Sequence, residues 1–159
     1  QAKEPEFGLA KNIGLKLKGT NNSEAEKFFR EAISLTDDPS QKADMYIQIG
    51  TIKSGGAARE MYRQAIAVDP SKKEAYGAIG YLYYQSFENC AEKSDIVKDR
   101  AVFLAAYDKF AQAGNSKMMT ASKEQFPSKE EVFTYNYTTG NSISVGCWIN
   151  ESTTIKTRD

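Results

Sequence analysis

Small, aromatic and hydrophobic residues recur at helical spacing in two segments of the chain that superimpose on each other. Residues 23–35 read SEAEKFFREAISL, residues 57–68 read AAREMYRQAIAV, and an Asp-Pro pair follows each segment. In each, a small residue precedes an aromatic residue by four positions and an Ala by seven, so the three share one helical face. Because proline disfavours helix at the residue before it, the pattern predicts two amphipathic helices that end near these pairs. The matching positions are Ala25, Phe29 and Ala32 in the first segment, and Ala58, Tyr62 and Ala65 in the second.

A second pattern follows each of the two Asp-Pro pairs. It predicts a further helix, which pairs with an amphipathic helix of the kind just described. YIQIG at 46–50 and YGAIG at 76–80 place an aromatic residue, an Ile and a Gly on another helical face. The order aromatic, aliphatic, Gly, small, aromatic, Ala and Pro resembles the tetratricopeptide-repeat (TPR) motif, whose period is about 34 residues. The resemblance implies an all-α fold of TPR-type antiparallel helical hairpins, stacked as a short right-handed solenoid.

The repeats divide the chain into two predicted regions. Residues 1–114 are expected to hold about three TPR-like repeats, the third with an insertion at 86–98. Residues 115–159 are expected to form a C-terminal helix and an extended or β capping tail. Two helix phases stay open after the insertion, because two sets of small and aromatic residues fit the packing face. They are Ala101 with Ala105, and Ala106 with Phe110 and Ala113.

Local signals mark helix starts and a change of structure near the C-terminus. Three Ser-x-x-Glu sequences are candidate capping boxes, in which the hydroxyl and the carboxylate each satisfy a free backbone N–H. They begin at Ser23, Ser71 and Ser128. Hydrophobic residues then alternate with others from Ile143 to Ile149, which is the spacing of a β-strand. A short strand or hairpin is therefore predicted to close the chain.

Composition excludes several classes of function. The 21 basic and 21 acidic residues cancel, which removes the positive surface expected of a nucleic-acid binder. Histidine is absent, and with it His-based acid/base catalysis and His metal sites. No stretch approaches the roughly 20 consecutive apolar residues of a membrane-spanning helix. We therefore expect a non-enzymatic protein with no catalytic site, no cofactor, no bound metal and no transmembrane segment.

The tail carries a second resemblance. The sequence FPSKEEVF, then Gly140, then CWINESTTIKTR, together with a Cys before the Ala-rich helix, resembles the C-terminal extension of TPR proteins exported by bacteria of the Bacteroides group. The resemblance implies a location in the periplasm or cell envelope and a disulfide between Cys90 and Cys147. Two unrelated thiols in a reducing cytosol are the alternative.

The TPR pattern also implies a binding surface. In that family the first helix of each repeat lines a concave groove that binds a protein or peptide. The basic and Asn pairs with which some TPR domains clamp a peptide's terminal carboxylate are not matched here, because the acidic Asp44 and Glu74 occupy neighbouring positions. The groove candidates are Asp44, Ile47, Thr51, Glu74, Gly77, Tyr81 and Tyr84. The favoured function is a protein-binding or peptide-binding scaffold. The alternatives are a structural envelope protein that self-associates and a non-catalytic fragment of a larger enzyme.

Overall fold

A computed structural model describes residues 3–159 of the chain, with side chains from Glu6 onward. The chain divides into two compact units, Gln1–Ala75 and Tyr76–Asp159. The described helices are α1 (Lys3–Leu17), α2 (Asn22–Ser34), α3 (Pro39–Thr51), α4 (Gly55–Val68), α5 (Lys73–Tyr84), α6 (Phe87–Cys90), α7 (Ile96–Ala113), α8 (Ser116–Glu124) and α9 (Lys129–Thr134), and the strands are β1 (Ser142–Val145) and β2 (Glu151–Thr154). The fold is mostly helical with paired antiparallel helices and a small C-terminal sheet, which confirms the predicted class.

The first unit contains two helical hairpins, α1 with α2 and α3 with α4, and α2 also packs on α3. In each hairpin the two helices approach each other where an aromatic ring of one helix packs against a glycine of the other. A Cβ built on Gly14 would lie 2.6 Å from a ring carbon of Phe29, and one built on Gly50 would lie 2.8 Å from Cζ of Tyr62. These separations are well below the roughly 3.5–4.0 Å of normal carbon contacts. Glycine is therefore required at both positions, which explains the repeat pattern read from the sequence.

Only one of the three predicted capping boxes forms. Ser128 accepts from the Glu131 backbone N–H, and the Glu131 carboxylate accepts from the Ser128 N–H, as predicted. The prediction at Ser23 is wrong, because the Asn21 side chain caps α2 two residues earlier. The prediction at Ser71 is also wrong. Its hydroxyl and its backbone N–H both donate to the Asp69 carboxylate, and α5 begins only at Lys73.

In the second unit α7 is the central helix, and α6, α8, α9 and both strands contact it. A contact between a glycine of α5 and an aromatic ring of α7 decides between the two helix phases that the sequence left open. A Cβ on Gly80 would lie 2.8–3.0 Å from three ring carbons of Phe110, whose side chain is fully buried. The phase with Ala106 and Phe110 is therefore the one equivalent to the earlier repeats. Residues 101–106 are all buried as well, since α7 is covered on several sides, and this is why the sequence left the phase open.

The C-terminal sheet is an antiparallel hairpin in which Ser142 pairs with Thr154 and Val145 with Glu151. The predicted alternation through Ile149 is too long. The first strand ends at Val145, and Cys147 lies in a turn with a φ of 58°. Burial still follows the sequence, because Ile143, Val145 and Ile149 are all buried. The described β structure is confined to this segment, as predicted.

Candidate partner-binding surface

Three groove candidates, Asp44, Ile47 and Thr51, lie along α3 at spacings of three and four residues, which puts them on one side of the helix. The helix directs Ala43, Met45 and Ile49 into the core. Asp44 and Ile47 are partly buried, and Thr51 is exposed. The row is therefore not consumed by the packing of the first unit.

The carboxylate on this row is already neutralised. The Lys72 ammonium lies 2.8 Å from the Asp44 carboxylate. Donation of a hydrogen bond to Asp44 is the main cause that raises the pKa of Lys72, while burial acts in the opposite direction. Near the other end of the row, the Lys18 ammonium donates to the Gln48 side-chain oxygen at 2.8 Å. The Asp44 charge on the row is thus balanced by Lys72, Ile47 is the apolar member of the row, and the Lys18 ammonium places a positive charge beside Gln48.

The four candidates on α5 have different environments. Glu74 is exposed, and Tyr81 keeps 43% of its surface exposed although its ring meets the Phe110 ring edge-on at 5.1 Å. Gly77 is buried, and a Cβ there would lie 3.5 Å from that of Ala113. Tyr84 is partly buried against another ring of α7 at 5.1 Å. Glu74 and Tyr81 are therefore the two α5 candidates with exposed side chains.

The tail is bound to the end of α5 and to α6 by a disulfide and by polar contacts. Cys90 and Cys147 are bonded, with Cα atoms 5.7 Å apart. The Trp148 indole N–H donates to the Ser86 hydroxyl at 3.0 Å, and the Trp148 ring meets the Tyr83 ring edge-on at 5.5 Å. The Tyr83 hydroxyl donates to Glu151 at 2.6 Å. These contacts hold the turn that precedes β2.

Two acidic residues that sequence reasoning did not single out organise the insertion. Both carboxylate oxygens of the buried Asp99 accept backbone N–H bonds from the insertion, one from Glu92 and one from Lys93, each at 2.9 Å. Asp95 caps α7 and also accepts from the Tyr137 hydroxyl at 2.5 Å. That hydrogen bond is the main cause that raises the pKa of Tyr137 to about 12. An Asp at the start of a predicted helix is a recognisable capping signal, but the buried role of Asp99 depends on the helix phase.

The part of the chain that the structure describes contains neither a candidate membrane-spanning helix nor a candidate metal site. In residues 3–159 no helix has both the length and the apolar character needed to cross a membrane. Nor does any group of three or more Cys, Asp or Glu side chains come together in a way that suits a metal ion, within those same residues.

Comparison with known proteins gives one relationship. No family model matches this chain, and no solved structure matches it either. Among curated proteins, the chain is 30% identical over 85 residues to the photosystem I assembly protein Ycf3 of Cyanophora paradoxa. The match covers 51% of this chain and 49% of the relative, so the chain spans about half the length of the curated relative it matches. The chain is thus distantly similar to an assembly protein, and its helical hairpin packing is consistent with TPR.

Proposed function

We propose that this chain is a non-enzymatic scaffold that binds a protein or peptide, with the exposed row of α3 and the exposed side chains of α5 as two separate candidate surfaces. The observation that carries the proposal is the division of α3 into two sides. Ala43, Met45 and Ile49 lie in the core, while Ile47 and Thr51 keep exposed surface beside a carboxylate that Lys72 neutralises. A polar row with an apolar centre suits a peptide in extended or helical form.

The similarity to Ycf3 supports a protein-binding role. That relative is named for the assembly of photosystem I, and assembly requires contact with other proteins. The similarity covers about half of each chain. It therefore supports a protein-binding role in general, and the partner must be identified by experiment.

We further propose that the chain works in the periplasm or cell envelope of a bacterium. The disulfide supports this location, because such bonds persist in oxidising compartments and are rare in the cytosol. Cell fractionation tests the location directly. Recovery of the native protein in the cytosol with both thiols free contradicts it.

A site-specific photo-crosslinker tests the binding surface. The amino acid p-benzoylphenylalanine replaces Thr51 in one variant and Tyr81 in another, while Glu60, exposed on α4, gives the control variant. At Thr51, and independently at Tyr81, we expect crosslinking to a heterologous protein from the native envelope, and unlabelled chain should compete for it. Equal labelling at Glu60 contradicts the proposed surface. Crosslinks only between copies of the chain, with concentration-dependent oligomers in sedimentation velocity, favour the self-associating structural protein instead.

A further inference from the structure

The hairpin of α1 and α2 carries an open apolar groove that the repeat pattern does not explain. Its volume is about 430 Å³. Leu9, at its wall, keeps 64% of its surface exposed, the second-largest exposure among the large hydrophobic side chains that are described as exposed. Its lining includes Leu9 and Ile13 of α1, Phe28 of α2, Leu35 directly after α2, and the carboxylates Glu6 and Glu31.

The shape of this groove suits a helix. Leu9 and Ile13 lie one turn apart on α1, and Phe28 of the antiparallel α2 lies about two turns before Leu35, the residue that follows the end of α2. Two such rows form the ridges between which the side chains of a third helix can pack. The same hairpin already packs one further helix, because α2 contacts α3 within the first unit. None of the α3 residues lines the groove.

Charge indicates the chemistry of the occupant. From Glu6 onward, where side chains are described, the charged residues that line the groove are both acidic. Neither Glu6 nor Glu31 forms a side-chain ion pair or hydrogen bond with another described side chain, whereas Glu24 and Glu26 of the same hairpin are paired with Lys27 and with Arg30 and Lys53, respectively. An apolar groove flanked by two carboxylates that have no basic partner among the described side chains is complementary to an apolar stripe flanked by basic side chains.

We propose that this groove binds an amphipathic helix of a partner protein, with apolar residues spaced one turn apart and Lys or Arg beside them. A second copy of the chain, packed through the same groove about a two-fold axis, is disfavoured. Such an interface is built from identical patches, so it brings the four carboxylates of two copies together. This groove is a second surface for the proposed protein-binding function. The proposal rests on that general function but not on the α3 surface.

Two synthetic helical peptides test the charge requirement. Both carry Leu at positions i, i+4, i+7 and i+11 on an Ala and Gln background, and the flanking positions hold Lys in one and Glu in the other. Fluorescence anisotropy measures their binding to the whole chain at low and at high salt. We expect the Lys peptide to bind about tenfold more tightly, and the difference to shrink at high salt. Equal affinity of the two peptides, or no binding of either, overturns the proposal.

Matched variants of the chain locate the site. Leu9→Ser should weaken the Lys peptide about fivefold to tenfold, while Leu15→Ser, on the same helix but outside the groove lining and 39% exposed, should leave its affinity unchanged. The pair Glu6→Lys and Glu31→Lys should reverse the preference between the peptides. The pair Glu60→Lys and Glu124→Lys changes the net charge equally at exposed positions outside the groove and should preserve it. Circular dichroism confirms that each variant keeps its helices.

Three outcomes of these variants contradict the proposal. One is an equal effect of the two Leu substitutions, and another is an unchanged peptide preference after reversal of the groove charges. The third is a wild-type dimer in sedimentation velocity that Leu9→Ser converts to a monomer, which identifies a second copy as the occupant. Crosslinking through Thr51 is measured separately, so failure of this groove leaves the α3 surface to its own test.

Discussion

Replacing Gly80 by Ala tests whether the third repeat closes like the first two. An added Cβ at Gly80 would approach three ring carbons of Phe110 to 2.8–3.0 Å, and normal carbon contacts need about 0.5–1 Å more. The ring has little freedom to move, because Phe110 is fully buried and meets Tyr81 edge-on. Overpacking of this kind costs roughly 1–3 kcal/mol. Replacing a glycine within a helix by alanine stabilises the helix by about 1 kcal/mol. The net effect on the free energy of unfolding should therefore lie between zero and about 2 kcal/mol of destabilisation.

Gly77→Ala is the matched control, because it changes the same residue type one turn away on the same helix. A Cβ there meets only that of Ala113, at an ordinary 3.5 Å. This variant should be stabilised by about 0.5–1 kcal/mol. Urea denaturation of both variants, followed through the fluorescence of Trp148, reports the second unit. We expect Gly80→Ala to be less stable than Gly77→Ala by about 1–3 kcal/mol. Equal stabilisation of the two variants means that the Phe110 ring does not lie on Gly80 and that the repeat register is wrong.

Three other substitutions or treatments test separate parts of the fold. Tyr62→Ala should lower the free energy of unfolding by about 3–5 kcal/mol, measured by urea denaturation, because it empties the space over a repeat glycine; an unchanged midpoint contradicts the packing. A thiol reagent should find almost no free Cys90 or Cys147 in the folded, non-reduced protein, and reduction should destabilise it by up to about 4 kcal/mol in the chain-entropy model; two free thiols refute the bond. Stability should fall between pH 10 and about 12, since the raised pKa of Tyr137 favours its protonated, folded form. Tyr137→Phe should reduce that fall relative to Tyr135→Phe, and an equal pH dependence of the two refutes this contribution.

Local spacing was enough to predict the parts of the fold that depend on one helix and its partner. Gly50 and Tyr62 lie in adjacent helices of one hairpin, so their contact follows from the positions of glycine, ring and proline alone. Gly80 and Phe110 form the same contact across an insertion, and there the sequence left two phases open. The reason is physical. Helix α7 is covered by strands as well as helices, so small residues occur on more than one of its faces.

The two failed capping predictions share a different cause, which is competition between nearby polar groups. A serine in a Ser-x-x-Glu sequence caps a helix only when no neighbour does so first. Asn21 precedes Ser23, and Asp69 takes the hydroxyl of Ser71. The contact of Tyr83 with Glu151 could not be predicted either, because it depends on the register of a hairpin that pairs only four residues on each strand. Among the groove candidates, sequence spacing alone places Asp44, Ile47 and Thr51 on one side of α3, whereas the burial of Gly77 depends on where α7 packs.

The packing of the first unit leaves two surfaces whose chemistry differs, and salt should separate them. In both hairpins the helices pack through a contact between an aromatic ring and a glycine. The sides of the helices that face away from these contacts remain exposed. On α3 the Asp44 charge is neutralised by Lys72, so shape and hydrogen bonding should contribute more than charge to the binding of the proposed partner. Between α1 and α2, Glu6 and Glu31 have no described basic partner, so attraction of a basic helix weakens as salt screens the charges. A ligand that binds α3 should therefore keep most of its affinity when the salt concentration rises, while a ligand of the α1 and α2 groove should lose it.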